Sequence, residues 1–137
     1  MRTVARLCIA LVLIAGAAPI AQETSRGAPA ELHGTWSGSW EGMGSSGGFE
    51  VTLEKPKENA AGGRVAVTGE PTYNAEFKRL RFEGTRMNAI YDFPPDEQME
   101  VVLTATFEGS TAKGGWVLRQ KAGADEVASG TWTVTRK

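Results

Sequence analysis

Apolar and polar side chains alternate with a period of two along most of the chain after residue 34. Phe49, Val51 and Leu53 are separated by polar residues, and so are Trp132 and Val134 near the C-terminus. A period of two is typical of β-strands that bury one face, and helical spacing of the apolar residues is absent. Because the second face is polar, the pattern predicts an antiparallel sheet with one side in water.

Glycine- and proline-rich segments interrupt the alternation at short intervals, as turns between strands do. The alternation also breaks between Phe77 and Phe82, which predicts a bulge or bend there. These interruptions divide the chain into eight or nine strands, near residues 34–41, 48–55, 64–69, 72–78, 80–83, 87–93, 99–108, 114–121 and 126–135.

Short consecutive strands joined by tight turns favour a meander, in which each strand pairs with the next. A sheet of eight or nine strands with one apolar face tends to curl until its exposed edges meet. We therefore predict an all-β protein, an antiparallel meander that closes into a small β-barrel. A two-layer β-sandwich is the alternative.

The first part of the chain has the pattern of an export signal. Arg2 and Arg6 precede an apolar run over residues 7–18, and small residues follow it. The run is shorter than the roughly twenty residues that a membrane-spanning helix needs. We expect residues 1–21 to be a signal peptide cleaved after Ala21, and the protein to be exported to the periplasm or the medium. A retained membrane anchor is the alternative.

The remaining chain divides into a short leader and one domain. Residues 22–31 lack apolar periodicity and contain Gly27 and Pro29, so we expect a disordered leader. Residues 32–137 are long enough for one hydrophobic core and too short for two. We therefore predict a single β-barrel domain over residues 32–137.

Charge and cysteine content exclude several functions of the exported part. The single cysteine, Cys8, lies in the signal peptide, so disulfides, thiol nucleophiles and thiolate metal sites are not expected. Cleavage removes Arg2 and Arg6, which lowers Lys plus Arg from 15 to 13 against 16 Asp plus Glu, a formal charge of −3. A net acidic chain is a poor partner for nucleic acid. We also expect no membrane-embedded part after cleavage.

All four tryptophans follow a glycine by two positions. In a strand, two residues that are two apart share a face, so each glycine leaves a gap that an indole can fill and lets the backbone bend. We therefore predict that all four indoles lie inside the barrel. The pairs are Gly34 and Trp36, Gly38 and Trp40, Gly114 and Trp116, and Gly130 and Trp132.

These features resemble the avidin and lipocalin group of meander barrels. The resemblance is carried by the opening strand with Gly34 and Trp36, the Gly/Ser-rich residues 42–48, the strand that begins at Phe49, and the later glycine and tryptophan pairs. In avidin-like proteins the interior aromatic residues floor a biotin pocket. By resemblance, Trp36, Trp116 and Trp132 are candidate binding residues, with Ser45 and Ser46 as polar contacts. The other polar contacts of that family have no counterpart here, so the resemblance implies the fold and not the ligand.

Catalytic and metal-binding motifs are sparse. His33 is the only histidine, which excludes a metal site built from imidazoles, and no Gly-x-Ser-x-Gly motif is present. The acidic residues 92–100 are the best candidate for a site, with Asp92 and Asp96 as possible ligands. A solvated turn is favoured there, ahead of a calcium site and a carboxylate pair for glycoside hydrolysis.

Taken together, the sequence predicts a non-catalytic exported binding module without cofactor or metal. Its partner would be a small molecule, a glycan or a protein, bound by the segments 42–48 and 92–100 or in the barrel mouth, because loops on rigid scaffolds carry function. Large inward side chains favour a filled barrel with at most a shallow cup. The alternatives are a structural or envelope-accessory protein with a filled barrel and, third, an enzyme that uses the acidic loop.

Overall fold

The computed structural model describes residues 24–137, which form ten strands and one turn of 3-10 helix, Ala30–Leu32. The predicted signal peptide, residues 1–21, lies outside the described residues. The strands are β1 (Thr24–Arg26), β2 (Gly34–Gly42), β3 (Ser45–Leu53), β4 (Gly63–Val67), β5 (Tyr73–Glu76), β6 (Arg79–Glu83), β7 (Arg86–Asp92), β8 (Met99–Glu108), β9 (Thr111–Gln120) and β10 (Glu126–Arg136).

The strands form one antiparallel sheet in the order β1-β6-β7-β8-β9-β10-β2-β3-β4-β5. The first long strand, β2, pairs with both β3 and the last strand, β10. The all-β antiparallel meander is thereby confirmed. In residues 24–137 no helix is long and apolar enough to cross a bilayer.

The bend between β5 and β6 brings the two sides of the curled sheet together. The backbone N–H of Phe77 donates to Gly63 O at the start of β4, and that of Lys78 donates to Ile90 O in β7. Within two residues the chain therefore passes from one side of the sheet to the other. A single strongly curled sheet results instead of two stacked layers, and the predicted irregularity after Phe77 lies at this bend.

Tryptophans and glycines face each other across neighbouring strands. An added Cβ on Gly47 would lie 2.7 Å from the indole nitrogen of Trp40, and one on Gly130 would lie 2.6 Å from that of Trp116. The missing side chains therefore make room for the rings, as a narrow barrel requires. The directly opposed pairs are Trp40 and Gly47, Trp116 and Gly130, and Trp132 and Gly114.

The segment before the barrel differs from the expected disordered leader. β1 pairs with β6, and the backbone N–H of Gly27 donates to Leu80 O. After the bend, β6 does not pair with β4. The backbone groups on its outer edge are therefore available for hydrogen bonds, and β1 pairs with this edge. Leu32 is buried in the core. Residues 24–32 thus include a paired strand and a turn of 3-10 helix, ahead of the predicted boundary at residue 32.

Residues 30–33 cover one end of the barrel, which we call the closed end. The Trp36 indole N–H donates to Leu32 O at 3.0 Å, and the Arg136 guanidinium lies 4.5 Å from the Trp36 ring centre. Arg136 also donates to the backbone oxygens of His33 and Glu31. These contacts hold the N-terminal segment across the barrel end.

The opposite end, which we call the mouth, is bounded by four connections between strands. Paired strands run in opposite directions, so the connections alternate between the two ends, except at the bend between β5 and β6, where the two strands do not pair and the chain does not reverse. The mouth therefore carries residues 43–44, 68–72, 93–98 and 121–125. The two segments predicted to bind a partner thus reach the same end of the barrel.

Candidate functional site at the barrel mouth

An apolar cup opens at the mouth, with a volume of about 190 Å³. It is formed by the mouth-side ends of the strands, where the interior side chains no longer fill the barrel. Six of its fifteen lining residues are aromatic: Trp40, Phe49, Tyr73, Tyr91, Phe93 and Trp116.

Strand periodicity and cross-strand register bring these residues together. Trp40 on β2 has the same inward parity as the buried Trp36, and Phe49 on β3 has that of Val51. Gly42, near the turn, leaves the wall open, since an added Cβ there would lie 2.7 Å from a ring carbon of Trp116. Trp116 therefore lies in the mouth, only partly buried by its neighbours.

A pair of tyrosines joins the two sides of the curled sheet inside the cup. The hydroxyls of Tyr73 on β5 and Tyr91 on β7 are 2.7 Å apart, and Phe77 stacks on the Tyr91 ring. Burial raises the pKa of Tyr91 well above its ordinary value and also raises that of Tyr73. Both therefore stay protonated at neutral pH, and one hydroxyl hydrogen of the pair remains free to donate.

The two indoles of the cup present mainly carbon to its interior. The Trp40 N–H donates to Thr68 O at 3.1 Å, and the Trp116 N–H donates to Glu41 O at 3.2 Å. The rings meet edge to face, with centroids 6.0 Å apart. Because both N–H groups are used by backbone oxygens, the wall they form is apolar.

The rim is more polar and more exposed than the wall. Met43, at the tip of the β2–β3 turn, is 70% exposed, and Ser45 and Glu70 lie beside it in the lining. A ligand in the cup would therefore have its body among aromatic rings and its outer end near a hydroxyl and a carboxylate.

Two of the predicted binding residues, Trp116 and Ser45, line the cup. Ser46 does not, because it is the next residue on β3 and side chains alternate, so it lies with its partner Glu41 on the outer face. Sequence parity thus separates two neighbouring serines that the resemblance had grouped.

Trp36 and Trp132 also lie away from the cup, as packed parts of the core. Trp36 is 0% exposed near the closed end, with its ring centre 4.8 Å from that of Phe107. Trp132 packs against Phe49 and donates its N–H to Gly115 O. Both indoles lie deeper along their strands than the lining residues Trp40 and Ala128, so neither lines the cup, and their predicted binding role stays a prediction.

The glycine-rich residues 42–48 are strand rather than loop. Pairing between β2 and β3 continues to Gly42 and Ser45, which leaves only Met43 and Gly44 in the turn. Both turn residues have positive φ, 54° and 79°, as two-residue hairpin turns require. The expected flexible loop is therefore a tight hairpin, of which Gly42, Met43 and Ser45 line the cup.

The acidic residues 92–100 form ion pairs on the outer face near the mouth. Lys78 Nζ lies 2.7 Å from Asp92 and 2.8 Å from Glu100, and Arg119 lies 2.7 Å from Glu100. Lys121 adds a contact to Asp92 at 3.2 Å. The hydrogen bonds from Lys78, and from the second cation at each site, lower the pKa of both carboxyls.

These contacts argue against a calcium site in the acidic segment. The chain's own cations neutralise Asp92 and Glu100, and Asp96 accepts a hydrogen bond from the Gln98 N–H at 3.0 Å, which shapes the turn. Within residues 24–137 no three acidic or histidine side chains are grouped as a metal ion would need. Asp92 and Asp96 therefore serve the structure of this surface and do not line the cup.

Sequence reasoning missed most of the cup. Trp40 belonged to the glycine and tryptophan pairs and shares the parity of Trp36, so a signal for it was available. Tyr73 and Tyr91 are eighteen positions apart on strands that do not pair with each other, and only barrel closure brings them together.

We compared the chain with family models, with curated proteins and with solved structures, and none of the three comparisons finds a match. The resemblance to the avidin and lipocalin group therefore stays a prediction. The functional assignment rests on the geometry of the cup.

Proposed function

We propose that this protein is a non-catalytic binding module that holds a small apolar or aromatic molecule in the cup at its mouth. The observation that carries the proposal is the apolar cup itself, six aromatic residues gathered at the open end of a barrel whose other end is packed. Apolar concave sites with a few convergent polar groups are the usual form of small-molecule sites.

The size of the cup limits its ligand. Its volume of about 190 Å³ is below the roughly 300–1,000 Å³ of sites for drug-sized ligands. One ring system with a short substituent fits this volume better than a long acyl chain. Each 100 Å² of apolar surface removed from water contributes about 2.5 kcal/mol, part of which offsets the cost of association.

The ionisable groups in the cup support binding rather than catalysis. The described residues place only Glu70, Tyr73 and Tyr91 among its ionisable lining. The raised pKa values of the two tyrosines make them poor general bases near neutral pH. A lone rim carboxylate has no partner acid across the cup, and paired acid and base groups are what glycoside hydrolysis uses.

A second candidate is the structural or envelope-accessory protein. The packed closed half, with Trp36, Phe82 and Phe107 buried together, favours it, because a barrel that is mostly filled needs no ligand for stability. The two candidates differ in whether anything enters the cup.

Export is part of the proposal and rests on the pattern of residues 1–21. The intact mass of the protein recovered from the periplasm or medium of an expressing bacterium tests it. We expect the mass of a chain that begins at Gln22. The mass of a chain that retains residues 1–18 would overturn the export proposal.

The binding proposal is tested by titrating the protein with 2-phenylethanol and following backbone and indole N–H signals by NMR. We expect a dissociation constant of about 1 mM or lower, with shifts concentrated at the indole N–H groups of Trp40 and Trp116. Ala128→Phe fills the cup that Ala128 lines, and it should abolish the shifts. Ala122→Phe, the same change on the exposed 121–125 turn, should leave them intact. Absence of shifts in the wild type, or equal shifts in Ala128→Phe, would favour the filled structural barrel.

A further inference from the structure

Glu70 is the single lining residue of the cup that carries a formal charge at neutral pH. It lies in the 68–72 connection between β4 and β5, with an exposed side chain. In the part of the chain that the structure describes, Glu70 forms no ion pair, whereas Asp92 and Glu100 are each held by two cations. Its carboxylate is therefore available to a ligand at the rim.

The connections around the mouth have a clear excess of negative charge. Their one cation, Lys121, is already paired with Asp92. At the closed end, by contrast, the 54–62 connection carries two cations and two carboxylates, and the 84–85 and 109–110 turns carry none. A field of this sign attracts cations to the mouth and repels anions. The mouth carboxylates are Glu70, Asp96, Glu97 and Asp125.

The aromatic wall also suits a positive charge. Faces of tryptophan, tyrosine and phenylalanine rings are electronegative and attract cations that lie within about 6 Å of the ring centre. The chain forms such a contact at its closed end, where Arg136 lies 4.5 Å from the Trp36 ring centre. Neither lysine nor arginine lines the cup. The aromatic faces there have no cation from the described chain.

We propose that the cup selects organic cations, molecules with a small apolar or aromatic body and one amine or ammonium group that pairs with Glu70. This inference rests on the proposed function, because it names the ligand class of the same cup. The body lies among the aromatic rings and the charged group lies at the rim. A ligand with a carboxylate in that position would meet the Glu70 carboxylate and the acidic mouth.

Three molecules with the same phenyl body and different end groups test the charge preference. 2-Phenylethylamine, 2-phenylethanol and 3-phenylpropionate are titrated at pH 7 and low ionic strength, with the Trp40 and Trp116 indole N–H signals as the readout. An exposed ion pair and a cation near an aromatic face each add modestly to the binding free energy. We therefore expect the amine to bind about five- to tenfold more tightly than the alcohol. The carboxylate should bind most weakly. Added salt, at about 0.5 M, should reduce the preference because the pair is exposed.

Glu70→Gln removes the rim charge and keeps the shape of the side chain. We expect it to lower the ratio of amine to alcohol affinity at least threefold while the affinity for the alcohol changes little. Glu58→Gln, the same change in the 54–62 connection at the closed end, should keep the wild-type ratio.

The possible results separate the two proposals. Equal binding of all three molecules would overturn the cation preference and leave the apolar binding function standing. A preference for the amine that Glu70→Gln does not reduce would overturn the role of Glu70. If none of the three shifts the indole signals at about 5 mM, the binding function itself fails and the inference fails with it.

Discussion

The closed end and the mouth of this barrel are built from the same kinds of residue and differ in how completely they are packed. At the closed end Trp36 is fully buried, and residues 30–33 and Arg136 cover it. At the mouth Trp116 is partly exposed, and only short turns surround the opening. Each tryptophan follows a glycine by two positions, Trp36 on β2 and Trp116 on β9.

The difference shows that the covering segment, and not the strand pattern, decides where the interior stays open. The chain covers one end with its own N-terminal segment and leaves the other to a tight β2–β3 hairpin and three further connections. The cup therefore lies at the end that the N-terminal segment does not cover. Three matched pairs of substitutions and one pH series test how far this contrast extends.

The largest effect is expected from Trp36→Ala. Removing a fully buried indole from the closed end leaves a cavity and should lower the free energy of unfolding by about 4 kcal/mol. Trp116→Ala should cost about 1 kcal/mol, because that ring is partly in water. Urea unfolding of both variants measures the contrast.

If Trp36→Ala does not fold, Trp36→Phe provides the milder version of the same test and should still cost more than Trp116→Phe. Equal losses at the two positions would mean that the mouth is packed as tightly as the closed end, and the contrast between the ends would be wrong.

The next effect compares the inner and outer faces of β9, where Gly114 and Gly115 are neighbours. An added Cβ on Gly114 would lie 1.7 Å from the backbone oxygen of Thr104, so Gly114→Ala should force β8 and β9 apart and cost about 3 kcal/mol. On Gly115 the nearest atom would be 3.4 Å away, at ordinary contact distance. Gly115→Ala should therefore leave stability unchanged or raise it by about 0.5 kcal/mol. Thermal and urea unfolding of the two neighbours decide the point, and similar losses in both would contradict the inward placement of Gly114.

The smallest effect concerns the ion pairs that tie the strands outside the mouth. Glu100 is 9% exposed and pairs with Lys78 and Arg119. Glu100→Gln removes both charged contacts and should lower the free energy of unfolding by about 1.5 kcal/mol at pH 7. Glu97→Gln, on the neighbouring connection, has no ion pair within residues 24–137 and should change it by less than about 0.5 kcal/mol.

The pH dependence of the Glu100 effect follows from the direction of its pKa. The hydrogen bonds from Lys78 and Arg119 lower the pKa in the folded state. The stabilisation is therefore complete above the unfolded pKa of about 4.3 and is lost as the pH falls through the folded pKa. Stability curves of wild type and Glu100→Gln should approach each other below about pH 4. A constant difference down to pH 2 would show that Glu100 acts by packing rather than by charge.

Much of the fold was predictable, because strand periodicity and turn residues are local. The predicted strands near 99–108 and 126–135 lie almost where the structure has Met99–Glu108 and Glu126–Arg136. The prediction failed for residues 42–48, where glycines were taken for a loop. In the structure all of them except Met43 and Gly44 are strand residues, and an added Cβ on Gly47 would lie 2.7 Å from the Trp40 indole nitrogen. Close approach and turn formation both favour glycine, so composition did not distinguish them.

The candidate site was predictable only in part. Trp116 and Ser45 were identified and line the cup, whereas Trp36, Trp132 and Ser46 do not. Inward parity can be read from the sequence, but depth along the barrel axis depends on how each strand is shifted against the next. Asp92 was placed in a binding loop, and its pairing with Lys78 depends on strands that meet across the bend.

The sequence by itself determined the strand pattern, the inward face of each strand and the pairing of tryptophan with glycine, because all three follow from the alternation of neighbouring side chains. The tertiary structure decided which end is covered, which rings meet and which carboxylate lies at the rim of the cup. Tyr73 and Tyr91 meet only because the chain crosses from β5 to β6 at the bend. Glu70 lies at the rim because the connection between β4 and β5 is at the mouth end of the barrel. Those outcomes depend on sheet curvature and strand shift, which sum over the whole barrel and are encoded in no single segment.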